Sequence, residues 1–254
     1  MGADQNLDWR AAAASLIGWW QEAGVEYLAD ESPRDWFAAP PPAPQPQPSA
    51  PAEGSPDPVA APTALAPLPA TRDAFTAWRL SDAAPEARWP GRPLAPTGAA
   101  GAALMILLDQ PEREDAESGQ LLSGAAGRLF DRMLAAIGLD RSAVYLASVA
   151  TVRPAAGRVF PEVAADLQAI ARHHVALAAP RRLLLMGDAA SRAILSTTSS
   201  EARGGLRAVN LENGQAAVEV AAVATYHPRF LLDRPACKAD AWRDLQMVIR
   251  GLQP

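Results

Sequence analysis

The sequence predicts an α/β protein, a three-layer α/β/α sandwich around a short, mainly parallel sheet of four strands. Three observations carry that expectation. The runs Ala103–Leu108, Val144–Val149, Arg182–Met186 and Val218–Thr225 are apolar almost throughout, as strands buried on both faces must be. Segments with apolar residues at helical spacing separate them. Right-handed crossovers between parallel strands then place helices on both faces of the sheet.

Along the 254 residues, three regions differ in composition. In residues 1–38, Trp9, Ala13, Leu16, Ile17, Trp20 and Ala23 recur at three- and four-residue spacing, predicting an amphipathic helix over 7–28 with Asp8 as N-cap. Such a helix either docks on its own core or meets a protein partner, and the sequence leaves both open. Residues 39–70 contain twelve of the 24 prolines, with Ala, Gln and Ser between them. That stretch lacks the apolar side chains for a core and reads as an extended, disordered linker. Residues 71–254 form the α/β domain. Its helices are expected at Leu122–Ile137, stopped by Gly138, at Pro161–Ala178, entered through proline, at Ala189–Leu195 and at Lys238–Leu252.

Charge and cysteine usage exclude several classes. Residues 1–72 hold nine acids against three arginines, net −6, while the remainder is near neutral at +1. The acidity therefore belongs to the N-terminal arm, and the domain neither demands nor forbids a polyanionic partner. One cysteine, Cys237, excludes a disulfide scaffold, and it excludes a zinc or iron–sulfur site built on cysteines of this chain. No apolar run reaches the roughly 18 residues of a membrane span, and MGADQNLDWR lacks the basic start and apolar core of a secretory signal. The expectation is a monomeric, cytoplasmic protein, with no membrane association, no metal and no cofactor.

In parallel sheets a ligand sits beyond the carboxyl ends of the strands. That rule selects Asp109-Gln110-Pro111, Ser148 and its successors, Gly187-Asp188, and Tyr226-His227-Pro228. Asp109 reads either as a working carboxylate or as a turn cap before proline. His227 reads as a proton donor or as a buried imidazole satisfied by backbone, whereas His173 and His174, in mid-helix, read as structural. Neither GxGxxG nor GxxxxGK[ST] follows the first strand, which argues against a nucleotide-binding Rossmann domain.

Four segments in order resemble the uracil-DNA glycosylase superfamily, above all its bacterial family 4 type. LLDQPEREDAESGQLLSGAAGRLF (107–130) is similar to GE-x-PG-x-x-ED…G-x-PFVG-x-AG-x-LL, and VYLASVATVRP (144–154) to YxTNVVKCRPP. LLLMGDAASRAIL (183–195) resembles LxLG-x-x-A-x-x-LL, and ATYHPRFLLDRPACKADAWRDL (224–245) resembles ATYHPSYLLR…AWxDL. The resemblance implies hydrolysis of the N-glycosidic bond of a base flipped out of DNA, in base-excision repair close to the nucleoid. Asp109 would hold water or stabilise the sugar cation, and His227 would donate to the leaving base. Gln110, Pro111, Leu122 and Ser148 would line the base pocket. Gly124 and Gly127 would open a helix toward phosphate; Arg153 and Arg229 would meet phosphates, as would Arg158, Arg203 and Arg234. Phe230, Leu231 or Leu232 would wedge into the base stack.

The sequence departs from that pattern in three ways. Leu122 replaces the stacking phenylalanine and Ser148 the base-reading asparagine, which removes an aromatic face and a paired donor and acceptor. The family's four cluster-holding cysteines are missing: Val152, Asp166 and the segment around Trp78 occupy those places, and packing by Trp78 and Val152 is expected to replace the cluster. Two functions follow: a glycosylase for uracil or another deaminated base, or a weak or inactive homologue serving as a DNA-binding or repair-scaffold protein.

Overall fold

Every residue of the strand Leu104–Leu108 (β1) is buried, because it is an interior strand of a five-stranded sheet. Parallel partners flank it on both sides, Val144–Ser148 (β2) and Arg182–Met186 (β3), with Leu104 opposite both Val144 and Arg182. Beyond β3 the sheet continues with Ala217–Thr225 (β5), also parallel, and ends on Leu206–Glu212 (β4), which is antiparallel to β5. The computed structural model describes residues 67–98, 101–155, 157, 161–212 and 217–252. The expected helix over 7–28 and nearly all of the linker lie outside them.

Alternation along the strands divides the core into two layers. Met105 and Leu107 face one side with Tyr145 and Ala147, against Phe75 of α1 (Arg72–Arg79), Leu167, Ile170 and Val175 of α4 (Pro161–Ala178) and Ala193 and Ile194 of α5 (Asp188–Leu195). Leu104, Ile106 and Leu108 face the other, against Phe130 and Leu134 of α3 (Ala125–Ala136), Leu231 of α7 (Pro228–Asp233) and Leu245 and Val248 of α8 (Lys238–Arg250). Short helices Asp115–Ser118 (α2) and Ser199–Ala202 (α6) complete the connections. The three-layer sandwich matches the expectation, and β1 occupies its switch point: the chain leaves β1 toward β2, then crosses back to β3.

Two expectations need correction. The sheet has five strands, not four, because β4 is an edge strand with an alternating pattern. Only Val209 and Leu211 are buried in it, and the exposed Ala208, Asn210 and Glu212 alternate with them, so it lacks the apolar run that marks the others. Helix α3 starts at Ala125, three residues later than expected, because Leu122 has a φ of 56° and leaves the helical region.

A buried ion pair ties α1 to the end of β2. Arg79 meets Glu86 at 2.6 Å, and Arg79 also donates to the Val149 carbonyl at 2.8 Å. The same Glu86 oxygen accepts from the Thr151 amide and hydroxyl at 3.1 and 3.0 Å. Removing one member of such a pair leaves the other charged and buried, a loss of about 3–5 kcal/mol. Glu86→Ala is therefore expected to lower unfolding stability by about that amount in denaturant titrations, and Glu86→Gln by less.

Candidate functional site

Asp109 leaves the carboxyl end of β1, where the pairing with β2 continues past the strands: the Ala150 amide donates to the Asp109 carbonyl at 3.1 Å. Its side chain turns to the amino end of α5, where the Ala190 amide donates to Oδ1 at 2.8 Å. Gly187, the N-cap of that helix, has a φ of 117°, and an added Cβ there would run into the Asp109 carboxylate. The missing side chain at 187 is what lets an acid lie against the helix. Burial pushes the Asp109 carboxyl up to about 6; the α5 amides oppose the shift and nearby Asp188 adds to it. The group is thus largely ionised at neutral pH and still able to take a proton.

Around it lies a cavity of ≈ 320 Å³ lined by Gln110, Gln168, Asp188 and Arg192, among others. Gln110 donates through Nε2 to the Gly157 carbonyl at 3.0 Å. Asp188 accepts from the Ser199 amide and hydroxyl at 2.9 and 2.6 Å, joining α5 to α6.

His227 sits two strands away, about 10 Å at the ~4.8 Å spacing of paired strands. It is the N-cap of α7, and its Nδ1 accepts from the Arg229 amide at 3.2 Å. A nitrogen that accepts carries no proton, so the neutral ring holds its hydrogen on Nε2. Burial lowers the pKa of this imidazole, partly offset by Glu112, whose Oε1 is 3.6 Å from Nδ1. The preceding residue is braced: Tyr226 lies between Phe230, stacked at 4.8 Å, and the Arg203 guanidinium, 4.2 Å from its ring centre. Arg203 in turn donates to Asp244 at 2.8 Å, and Thr225 donates to the same oxygen at 2.9 Å.

Between these two lies a loop that sequence reasoning underrated. Asp115, fully buried, accepts from the amides of Glu112 and Leu122 at 2.8 Å each, and from the Ser123 amide and hydroxyl at 2.7 Å each. Four donors on one carboxylate fix the loop and hold Leu122 at its positive φ. Glu112 is buried too, and it pairs with Arg229, whose Nε donates to it at 2.6 Å. The signal for both was available in the run Glu112–Asp115, since three acids in four residues after a buried strand need partners.

The residues expected to share one pocket are distributed over three cavities. Asp109 and Gln110 line the first, Pro111 lines a second with Glu112 and Arg153, and Ser148 lines a small third with Phe75, Arg79 and His174. The Ser148 hydroxyl is buried without a hydrogen-bond partner. Leu122 is buried in the core layer with α3. Gly127 admits the Leu122 carbonyl where a Cβ would clash, and Gly124 is the N-cap of α3. Arg153 donates to the Pro111 carbonyl at 3.0 Å, and Arg229 also meets Glu114 at 3.4 Å, so these two of the five arginines expected at phosphates are engaged by protein. Of the three wedge candidates, Phe230 and Leu232 are 38% and 40% exposed, whereas Leu231 is 1% exposed and belongs to the core. Helical periodicity separates them, because Leu231 faces inward on α7. His173 donates through Nε2 to the Pro69 carbonyl at 2.9 Å, and His174 bonds the Tyr145 hydroxyl at 2.9 Å, so both hold structural positions.

The positions that would hold a four-cysteine cluster do not fit one. Val152 is buried, Trp78 packs on Phe75 with ring centres 5.9 Å apart, and Cys237 lies by the opposite core layer. Among the described residues no group of three or more His, Cys, Asp or Glu could hold a metal ion, and no helix is long and apolar enough to cross a membrane.

Comparison with known proteins adds the following. Residues 95–246 match the family model of the uracil DNA glycosylase superfamily. The type-4 uracil-DNA glycosylase of Pyrobaculum aerophilum is 28% identical over 152 residues, 58% of this chain and 77% of that protein. The type-4 uracil-DNA glycosylase of Archaeoglobus fulgidus is 28% identical over 154 residues, 58% of this chain and 75% of that one.

The raised Asp109 pKa has a consequence for stability. In the unfolded chain the carboxyl ionises near its ordinary value, while the native state keeps its proton up to about pH 6. Native stability from this group is therefore greatest at low pH and is lost as pH rises through that window, by about 2–3 kcal/mol. Asp109→Asn is expected to raise the melting temperature at pH 7.5 by several degrees, with the difference shrinking by pH 4, in paired thermal scans.

Proposed function

The chain belongs to the uracil-DNA glycosylase superfamily, and from that premise we propose that it hydrolyses the N-glycosidic bond of uracil or another deaminated base flipped out of DNA. One observation carries the proposal: an ionisable, half-buried carboxylate and a neutral histidine with its hydrogen on Nε2 stand two strands apart at the carboxyl edge of the parallel strands of one sheet. Breaking the bond leaves positive charge on the sugar and negative charge on the base. A carboxylate on the sugar side and an N–H donor on the base side oppose those two charges as they form.

In this reading the nucleotide lies across the end of β3. Asp109 orients a water whose oxygen adds to C1′, and the electron pair of the glycosidic bond departs with the base. The water's proton passes to Asp109 and then to solvent, leaving an abasic site and the free base. His227 donates a hydrogen bond from Nε2 to the base oxygen on which the charge collects. DNA would be held by the exposed Phe230 and Leu232 with the amino end of α3.

A second reading has its own support. Ser148 lines a cavity with Phe75 and His174 rather than the one lined by Asp109, so it offers no base-reading amide in place of the motif's asparagine. That favours a homologue that binds DNA without efficient excision. Incubating the full chain with single- and double-stranded oligonucleotides containing uracil, hypoxanthine or xanthine, and assaying abasic sites, separates the two. The enzyme reading expects excision of at least one base, with Asp109→Asn and His227→Ala each slower by about 10²–10³ and DNA affinity little changed. Absence of excision for all three, in the wild type and in Ser148→Asn/Leu122→Phe, leaves the binding reading.

The pH dependence is a further expectation. With the Asp109 carboxyl at about 6 and required in its ionised form, single-turnover excision should fall about tenfold per unit below that pH. A rate that stays flat down to pH 5 would remove Asp109 from the chemistry.

A further inference from the structure

Glu112 and Arg229 stand where the quoted family motifs have glycine after the proline and serine after His-Pro. They are 117 residues apart in the chain and bonded to each other, the Arg229 Nε donating to Glu112 Oε2 at 2.6 Å. Both also touch His227: the Arg229 amide donates to Nδ1 at 3.2 Å, and Glu112 Oε1 stands 3.6 Å from the same nitrogen.

We propose that Glu112 and Arg229 form a positioning clamp that keeps the proton of His227 on Nε2, facing the ligand side. The inference rests on the glycosylase reading for its consequence but not for its test. A buried carboxylate beside a ring nitrogen has one strong preference, a proton between them. Left alone, Glu112 would draw hydrogen onto Nδ1, charge the ring or invert its tautomer, and displace the Arg229 amide from the cap of α7. The Arg229 guanidinium neutralises that pull by occupying Glu112 Oε2, and it secures the far side through Glu114 at 3.4 Å. Arg153 adds a weaker contribution at 4.0 Å from Glu112 and pins the loop through the Pro111 carbonyl. Asp115 holds the Glu112 amide at 2.8 Å, so the loop cannot drift away from the ring.

The groups facing His227 are thus Glu112 and Asp115 from the segment after β1, Arg153 from the segment after β2, and Arg229 from α7. Their formal charges cancel. A neutral surrounding keeps the imidazole a neutral donor, whose Nε2–H strengthens its bond as charge grows on the base. The arrangement also places the Arg229 charge against two carboxylates, Glu112 and Glu114.

The test reads the ring itself. In full-length protein labelled with ¹⁵N-histidine, with His227 assigned by its loss in His227→Ala, the wild type should show a neutral ring protonated on Nε2 at pH 7. Arg229→Gln keeps the backbone amide but frees Glu112. It should raise the His227 titration midpoint and move hydrogen onto Nδ1. Glu112→Gln/Arg229→Gln should return both signatures close to wild type. In the excision assay at neutral pH, Arg229→Gln should lose about 10²–10³ in single-turnover rate, the scale of one preorganised donor, and the double variant should recover most of it.

A wild-type tautomer and midpoint in Arg229→Gln would overturn the clamp, as would a double variant no nearer to wild type than the single one. If the ring signatures shift and return as stated while no variant excises any base, the clamp stands and the glycosylase reading fails. If excision is robust but indifferent to Arg229→Gln, the clamp fails and the glycosylase reading stands.

Discussion

Asp109 can lie against the amino end of α5 only because residue 187 is glycine, and much of the carboxyl edge of the sheet follows from that one vacancy. Gly187 takes a φ of 117° as the chain turns from β3 into α5, and its amide reaches across to the Thr225 carbonyl at the end of β5 at 3.2 Å. One residue therefore ends β3, starts a helix, links to β5 and leaves room for a carboxylate arriving from β1. With any Cβ in that place the acid would have to leave its helix amide or the strand ends would have to part.

The buried acids Asp115 and Glu86 show by contrast what Asp109 lacks. Asp115 is held by three amides and a hydroxyl, and one oxygen of Glu86 by an arginine, an amide and a hydroxyl. Those partners are matched to the charged form, and the acids act as struts. Asp109 has one amide bond of good length and no cation bonded to it among the described residues, so burial dominates and its proton affinity rises. Asp244 is the nearest parallel: burial raises it as well, but Arg203 and Thr225 share one of its oxygens and it braces Tyr226 rather than opening on the Asp109 cavity. A carboxylate left short of partners beside a cavity costs stability, and its raised proton affinity is the mark of that deficit.

What the sequence made legible follows the strength of its physical signals. Four of the strands were visible because burial on both faces demands uninterrupted apolar runs, and the three longest helices because their stripes span several turns. The fifth strand was not, since this edge strand buries only two residues, Val209 and Leu211, and exposes the rest, Arg207, Asn210 and Glu212 among them. The helices Arg72–Arg79 and Pro228–Asp233 were too short for periodicity to separate from loop. At the site, Asp109 and His227 stood out by position at strand ends. Glu112 did not, because its meaning depends on Arg229, 117 residues away, and only the fold brings the two together.

Leu122 and Ser148 stand where the quoted motifs have phenylalanine and asparagine. Neither is an isolated swap in an otherwise unchanged pocket. Leu122 is held at positive φ by the buried Asp115 and packed into the α3 layer, with Gly127 admitting its carbonyl and Arg141 donating to that oxygen at 2.6 Å. Ser148 stands at the end of β2 beside the Arg79–Glu86 pair and the Phe75–His174 contact, centroids 4.9 Å apart, where an Asn side chain would meet a small cavity already walled by aromatic rings. Restoring asparagine and phenylalanine at these places thus asks two supporting layers to move as well, one on each face of the sheet. Non-additive effects are the natural expectation for sites embedded in networks of this kind. The contacts that place Leu122 and Ser148 are contacts of the core itself, running through Asp115 on one side and the Arg79–Glu86 pair on the other.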